Sequence, residues 1–415
     1  MALTSFNDIR TGQPLPPFSE IALTNYVQKY RRLYQRDFAT YQIEDIGPGV
    51  PGTRVNWFRR VASFYSEFMF GERPRVQVEN GRALEVLEPT FLSLLPELQA
   101  ALGDMIKFGE GLIATHPQNP DFFVRFERDQ HFVVTNVRGQ IEGDILYRVR
   151  DANLPDERAV HLNKLIDVYK YPVNAPATWE VYEYTGAARD GAGGGLGTLR
   201  LSETLPPRQG RQVITFASNR ETTSMFEDME DSVAEMSRTL SRLGFSIRRN
   251  LRPHLYAPAG SILTEDGNNV RIDEKGMIFP MDQGDTVPGY LQWDSRSETV
   301  EYYYMTLRSV MFNMVGLSEL LFDASLFPGE LSGEALKRLM MPFISKLAHY
   351  KSILTVAIED SIMVWLANQQ ANGLEVFDIA REDITVEWPY EELFANMNQP
   401  TPISRARVVQ APPQG

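Results

Sequence analysis

The sequence predicts an α+β protein. Apolar residues recur at intervals of three and four in six segments, the signature of amphipathic helices. From 112 to 201 the pattern changes to short runs rich in Val, Ile, Tyr and Phe, which fit a pleated surface. A second strand-like cluster, from Tyr256 to Trp293, is punctuated by Asp266-Gly267, Lys275-Gly276, Gln283-Gly284 and Pro288-Gly289.

Taken in order, residues 1–17 form a polar, proline-bearing arm. Ile21 to Tyr41 reads as a basic amphipathic helix, and a Gly/Pro turn follows at 46–52. Val55 to Phe70 repeats Trp57, Val61, Phe64, Tyr65 and Met69 on one face and stops at Gly71, where a left-handed cap carries little steric penalty. Arg73 to Val78 alternates like a strand. Leu84 to Phe108 is a third helix, ended by Gly109 and Gly111.

Strands are then expected at 122–126, 131–137, 144–149, 165–171, 179–184 and 213–216. The glycines between 191 and 197 lack a following Gly-Lys-Ser/Thr, so they read as a hairpin tip and not a phosphate loop. Ser224 and Glu227 are spaced as a capping box. The helix they open carries Met229, Val233, Met236, Leu240 and Leu243 in a four-three alternation, like a coiled-coil seam. Its acidic first half and its basic residues from Arg238 onward suit the helix dipole. One copy is not expected to bury this seam alone.

Ser295 and Glu298 suggest a second capping box, before a helix with Val300, Tyr303, Tyr304, Leu307, Val310, Met311 and Met314. Ser332 is placed to cap a very long helix whose stripe runs from Leu336 through Leu339, Met340, Phe343, Leu347, Leu354, Ile358 and Ile362 to Trp365. Pro342 should bend it. Ile384 to Trp388 is a last strand, a short helix through Leu393 and Phe394 follows, and the proline-bearing stretch from Gln399 reads as unfolded.

The composition excludes several classes. There is no cysteine, hence no disulfide, thiolate metal site or cysteine nucleophile. The five histidines are scattered without metal-ligand spacing. Gly-x-Ser-x-Gly, Walker-type and dinucleotide fingerprints are missing, so no active site is nominated, no cofactor is expected and an enzyme is not. No secretory leader is apparent, and the most apolar helix carries Glu359 and Asp360, so no membrane partner is expected. A net charge of −13 argues against a protein that grips phosphate with a broad basic face.

The most telling stretch joins the two helices at 295–315 and 333–369. It runs from Gly316 to Ser332 and then opens Gly333-Glu334-Ala335-Leu336-Lys337. A helix, a long Gly/Pro-bearing loop, then Ser-Gly-x-Ala-Leu-Lys opening a long helix resembles the tunnel-loop region of tailed-bacteriophage portal proteins of the siphophage type. Other segments resemble that family in the same order: Asn56 to Val61 with Phe70-Gly71-Glu72-Arg73-Pro74, Asp104 to Gly111, and Val213 to Ser224 with Asn219 before the helix. The resemblance extends from about Asn25 to Asn396.

The resemblance implies a portal fold. Its mixed α/β wing would take residues 18–220 and 333–395, its stem helices 221–244 and 295–315, its small β-containing clip 245–294, and its tunnel loop 316–332. A flexible tail at 396–415 would leave the C-terminal crown nearly absent. It also implies a ring, nominally of twelve copies, at one capsid vertex. Double-stranded DNA would pass through it without sequence reading, during packaging and ejection. The terminase large subunit and then a head-tail adaptor protein would dock on it, with major capsid and scaffolding proteins around it. It would reside in the virion, and in the host cytoplasm during assembly.

Implied DNA-facing residues are Phe322, Asp323, Ala324, Ser325, Leu326, Phe327, Pro328, Gly329 and Glu330. Leu326 and Phe327 have a second reading, packing between helices. The loop–helix motif supplies Ser332, Gly333, Leu336 and Lys337, where Lys337 either lines the tunnel or pairs with Glu334. Motor docking would involve Arg248, Arg249, Arg252, Asp266, Lys275 and Asp282, and stem packing would use Met229, Val233, Met236, Leu240 and Leu243. The alternative reading is another virion structural or scaffold protein without a DNA tunnel.

Overall fold

The structure is a computed structural model that describes residues 21–35, 53, 55–78, 80–116, 119, 121–136, 138–150, 164–173, 175–184, 196–207, 212–250, 254–258, 278–281, 289–291, 297–319, 322, 333–371, 373 and 377–389. The chain is mixed α+β and divides into two units. The first holds residues 1–31, 59–227 and 316–415, and the second holds 32–58 and 228–315.

In the first unit, Asn80 starts the central helix α3 (Gly81–Phe108): its side-chain oxygen accepts the amides of Arg82 and Ala83 at 3.1 and 3.3 Å. These would otherwise be orphan donors. The sequence reading began this helix at Leu84 because Gly81 and Arg82 carry no apolar signal. The helix ends at Gly109, whose φ of 86° lets its amide reach the Met105 carbonyl. Strand β2 (Glu110–Thr115) follows at once. The sequence analysis took Gly109 and Gly111 only as a stop and missed this strand.

β2 lies between β3 (Phe123–Phe126) and β9 (Val213–Ala217), antiparallel to both. A five-stranded antiparallel meander joins it through a shared core. Its strands are β4 (His131–Thr135), β5 (Ile141–Arg150), β6 (Lys164–Pro172), β7 (Pro176–Tyr184) and β8 (Leu196–Pro207). Leu112, Ala114 and Val213 from one sheet pack with Leu146, Tyr169 and Tyr171 from the other. Tyr171 also donates its hydroxyl to the Thr115 carbonyl at 2.8 Å. β8 supplies the strand-like flank expected after the glycine-rich run and extends past Leu201 to Pro207. Its pairing with β7 makes the two flanks of the glycine-rich run a hairpin, whose tip at 185–195 lies outside the described residues.

Strand β1 (Arg75–Val78) pairs antiparallel with β13 (Ile384–Glu387), 306 positions later by the Val78–Ile384 register. Helix α2 (Trp57–Phe70) meets the long helix α6 (Gly333–Ala371) through aromatic side chains. Tyr65 lies 5.7 Å from Phe343 and 5.3 Å from Tyr350, and Phe68 lies 5.0 Å from Phe343, centroid to centroid. Rings at these separations contribute beyond their buried area. α6 is one continuous helix of 39 residues with Pro342 inside it. At 1.5 Å per residue it is about 58 Å long. Its stripe from Met340 to Trp365 is buried as expected, whereas Leu339 is exposed.

The second unit contains α4 (Glu230–Asn250), α5 (Ser297–Val315) and a small sheet of β10 (His254–Pro258), β11 (Ile278–Met281) and β12 (Gly289–Leu291). β10 is central, parallel to β11 and antiparallel to β12. The β-like insert between two helices is therefore present.

Residues 32–58, expected in the wing, group instead with these helices. The Thr53 amide donates to Ser241 Oγ at 2.7 Å, Asn56 Nδ2 to the Tyr34 carbonyl at 3.0 Å, and the Trp57 ring stands edge-on to Phe312 at 5.2 Å. Two boundaries also shift. The helix after Ser224 begins only at Glu230, behind a 3₁₀ turn over Glu227–Met229, because the Ser224 hydroxyl accepts the Phe226 amide and closes a tighter turn. It then runs on to Asn250, six residues past the expected end at 244. The first helix, α1 (Ile21–Tyr34), ends earlier than Tyr41, with a turn at residue 35; residues 36–41 lie outside the described ones.

Gly109 is the position where the backbone leaves least room. A Cβ there would lie 2.0 Å from the Thr222 carbonyl oxygen, and φ is in the left-handed region. Gly109→Ala should cost about 3 kcal/mol or more, from backbone strain and the displaced Thr222 together. Urea unfolding would read this as a lowered midpoint; a loss below about 1 kcal/mol would mean the joint gives way without resistance.

Candidate functional site

The site-bearing segments are best judged one by one, beginning with α5. The sequence analysis assigned it one apolar stripe, and the structure divides its residues between two faces. Met311, Phe312 and Val315 are buried, and Val300, Tyr304 and Leu307 are half-buried. Thr299, Tyr302, Tyr303, Thr306, Val310, Asn313 and Met314 are all exposed. Their spacing of three and four places them on one side of the helix. Tyr302 is 76% exposed and Met314 55%. None of these seven is charged, although Glu298 and Glu301, also exposed, flank Tyr302 near the N-terminal end. The stripe spans about 23 Å at 1.5 Å per residue. Exposed apolar and aromatic residues grouped on one side of a helix make it a candidate interaction surface. The sequence signal for it was present in Tyr302, which a single-stripe reading left out.

The seam on α4 behaves differently. Met229, Val233 and Met236 are each fully buried within one chain. The expectation that one copy cannot bury them is corrected: α4 packs with α5, and its serines bond to residues 53 and 55 of the same unit. Leu240 and Leu243 are only half-buried, and Ile247, one turn on, is 44% exposed.

Of the implied DNA-facing residues, Phe322 is described. Its ring lies 5.1 Å from that of Phe64, and the Arg60 guanidinium sits 5.7 Å from its centroid. The loop base is thereby fastened to α2. Gly316, with φ of 75°, ends α5 one residue after Val315, and α6 starts at Gly333, so the backbone limits of the loop agree with the sequence. Residues 323–330 and Ser332 lie outside the described residues, as do Arg252, Asp266, Lys275 and Asp282. Leu336 and Lys337 are placed by backbone in the first turns of α6. Arg248 and Arg249 stand on the last turn of α4, not in the β insert.

One feature of the first unit went unread in the sequence, a chain of ion pairs. Asp104 on α3 is fully buried, with Lys107 Nζ at 2.6 Å and Arg125 Nε at 3.1 Å. Arg125 also approaches Glu127 at 3.6 Å. Glu127 is bonded by Arg31 of α1, whose guanidinium stands 3.6 Å from Asp129. Burial pushes the carboxyls of Asp104 and Asp129 above the ordinary carboxylate range, with the neighbouring cations pulling the other way.

Two histidines have polar partners: His131 Nε2 lies 2.9 Å from Asp144, and His349 Nε2 lies 2.7 Å from the Ser218 carbonyl oxygen. Among the described residues no group of three or more His, Asp or Glu side chains could hold a metal ion, and no helix is long and apolar enough to cross a membrane. The sequence matches no protein-family model and no curated protein.

The raised carboxyls give stability a pH dependence of known sign. A carboxyl raised on folding binds protons more readily in the native state. Its stabilising share is complete below the unfolded value and is lost as pH rises through the folded one. Stability should therefore fall as pH rises from the unfolded carboxyl value through the folded one, and should fall less in Asp104→Asn. Paired urea titrations check this; equal losses would place Asp104 outside the pH response.

Proposed function

We propose that this chain is the subunit of a portal-type ring that conducts double-stranded DNA through a capsid vertex. The exposed α5 stripe is the observation that carries the reading. A second copy is the occupant that suits it. The helix presents the same stripe in every copy, so successive subunits set around an axis repeat one heterologous contact until the ring closes. Three further features support the reading. A two-helix unit carries a small β insert between its helices. The break between α5 and α6 falls where the tunnel-loop resemblance puts it. α6 is a single helix long enough to cross a wing from tunnel to periphery.

In this reading the protein is a conduit and not an enzyme. Its net charge of −13 suits the task, because phosphate contacts made by basic side chains would retain DNA that must slide. The loop at 316–332 has two anionic residues, Asp323 and Glu330, besides Glu319, and no Lys or Arg. Its contact with DNA would be steric and weakly repulsive. Terminase and then an adaptor would dock at the β insert and the basic end of α4.

Two sets of variants test the reading. Tyr302→Glu with Val310→Glu should leave the helical circular dichroism of the chain unchanged and reduce the assembled mass to that of single subunits. Assembly that survives both charges would remove α5 from the interface. Asp323→Lys with Glu330→Lys should turn repulsion into retention, slowing DNA transit through assembled rings most at low salt. Transit equal to the parent at every ionic strength would show that this loop does not touch DNA.

A further inference from the structure

The first unit contains a cavity of about 500 Å³ between α3, the residues just before β3, and the C-terminal part of α6. Its walls are apolar and aromatic: Val86 and Pro89 from α3, then Phe122, Trp365 and Phe377. Phe122 is 50% exposed and Val86 41%, so the rim stays open to solvent. Asp121 is the one charged side chain among the described lining residues. Its Oδ1 accepts the Trp365 indole N–H at 2.9 Å and a bond from Gln369 Nε2. Its backbone amide donates to Asn119. These bonds hold the carboxylate still, but they bring no positive charge. Asp121 makes no ion pair among the described residues, unlike Asp104 and Asp129 in the same unit.

An immobilised carboxylate with aromatic faces around it suits one kind of ligand group. A guanidinium can pair with the carboxylate oxygens and lie against the rings at once. The chain carries such groups beyond Trp388, whose indole bonds Thr355 on α6, ten residues along that helix from Trp365 at the cavity. Beyond residue 389 its only basic residues are Arg405 and Arg407, set among apolar ones in Ile403-Ser404-Arg405-Ala406-Arg407-Val408-Val409. From Pro389 to Arg405 the chain can extend about 50 Å at 3.3 Å per residue. We propose that the Asp121 cavity binds the basic C-terminal segment 403–409 through Arg405 or Arg407, tying the tail to α3 and α6.

Trypsin reads this directly in the full-length protein, since it cuts after the two arginines in question. Cuts at 405 and 407 would be followed by intact mass at neutral pH. Asp121→Asn keeps the oxygen that Trp365 and Gln369 bond and removes the charge. Ser93→Lys, on the α3 wall, supplies an internal cation instead. Each variant should be cut at 405 and 407 about tenfold faster than the parent, with its melting temperature within a few degrees of the parent's. If one variant unfolds, the other decides. Cutting at the parental rate in a folded variant overturns the proposal and leaves the cavity to some other basic partner.

Discussion

The contact of Gly109 with Thr222 is the constraint on which most of the first unit depends. α3 must end, and β2 must begin, within one residue. That is possible because Gly109 takes a left-handed conformation and leaves the Thr222 carbonyl room to sit over it. Thr222 shares the strain: its φ of 52° is the one positive value among the described non-glycine residues, and a β-branched residue rarely adopts it. Arg128 holds both sides together. It donates to the carbonyls of Phe108 and Thr222 at 2.7 and 2.6 Å and to Thr222 Oγ1 at 2.6 Å, and it faces Glu110 and the Tyr26 ring. Tyr26 then accepts the Ser224 amide and donates to Glu227, each at 2.7 Å. One point thereby fixes α1, α3, β2 and the segment that leads from β9 to the 3₁₀ turn at Glu227.

Burial around that point explains the ionic chain beside it. Asp104 lies inside α3, where a lone carboxylate would be costly, and Lys107 and Arg125 offset the charge. The arrangement specifies how α3 meets β3, since removing either cation would strand the carboxylate. It does not resemble a catalytic dyad, where one group is left unpaired to move a proton.

Much of this was legible in the sequence. Long periodic stripes gave α2, α3 and α6, because each buries a full face and the period survives along its length. β1 and β13 were visible as alternating runs, although nothing local says that they pair across some three hundred residues. β2 was hidden by its glycine, which serves as a close approach, and β8 was visible only as the strand-like flank of a glycine-rich run. The Arg128 clamp has no local signature, because its partners Phe108, Thr222 and Tyr26 come together only in the folded chain. The α4 seam misled for a related reason. A heptad pattern says that a face is buried, but not whether the cover comes from another copy or, as for Met229, Val233 and Met236, from the same chain. The candidate surface on α5 was half legible: its apolar residues stood out, whereas their division between an inner and an outer face is set by where α4 lies.

The functional account now rests less on a shared coiled-coil seam than on α5. Tyr302, Val310 and Met314 lie in water in one copy, and in the proposed ring the next copy would cover them. Electron-microscopic class averages of the purified full-length protein test this most directly. The account predicts closed rings of uniform subunit number with an axial hole. Single subunits or open, irregular chains at every protein concentration and ionic strength would contradict it.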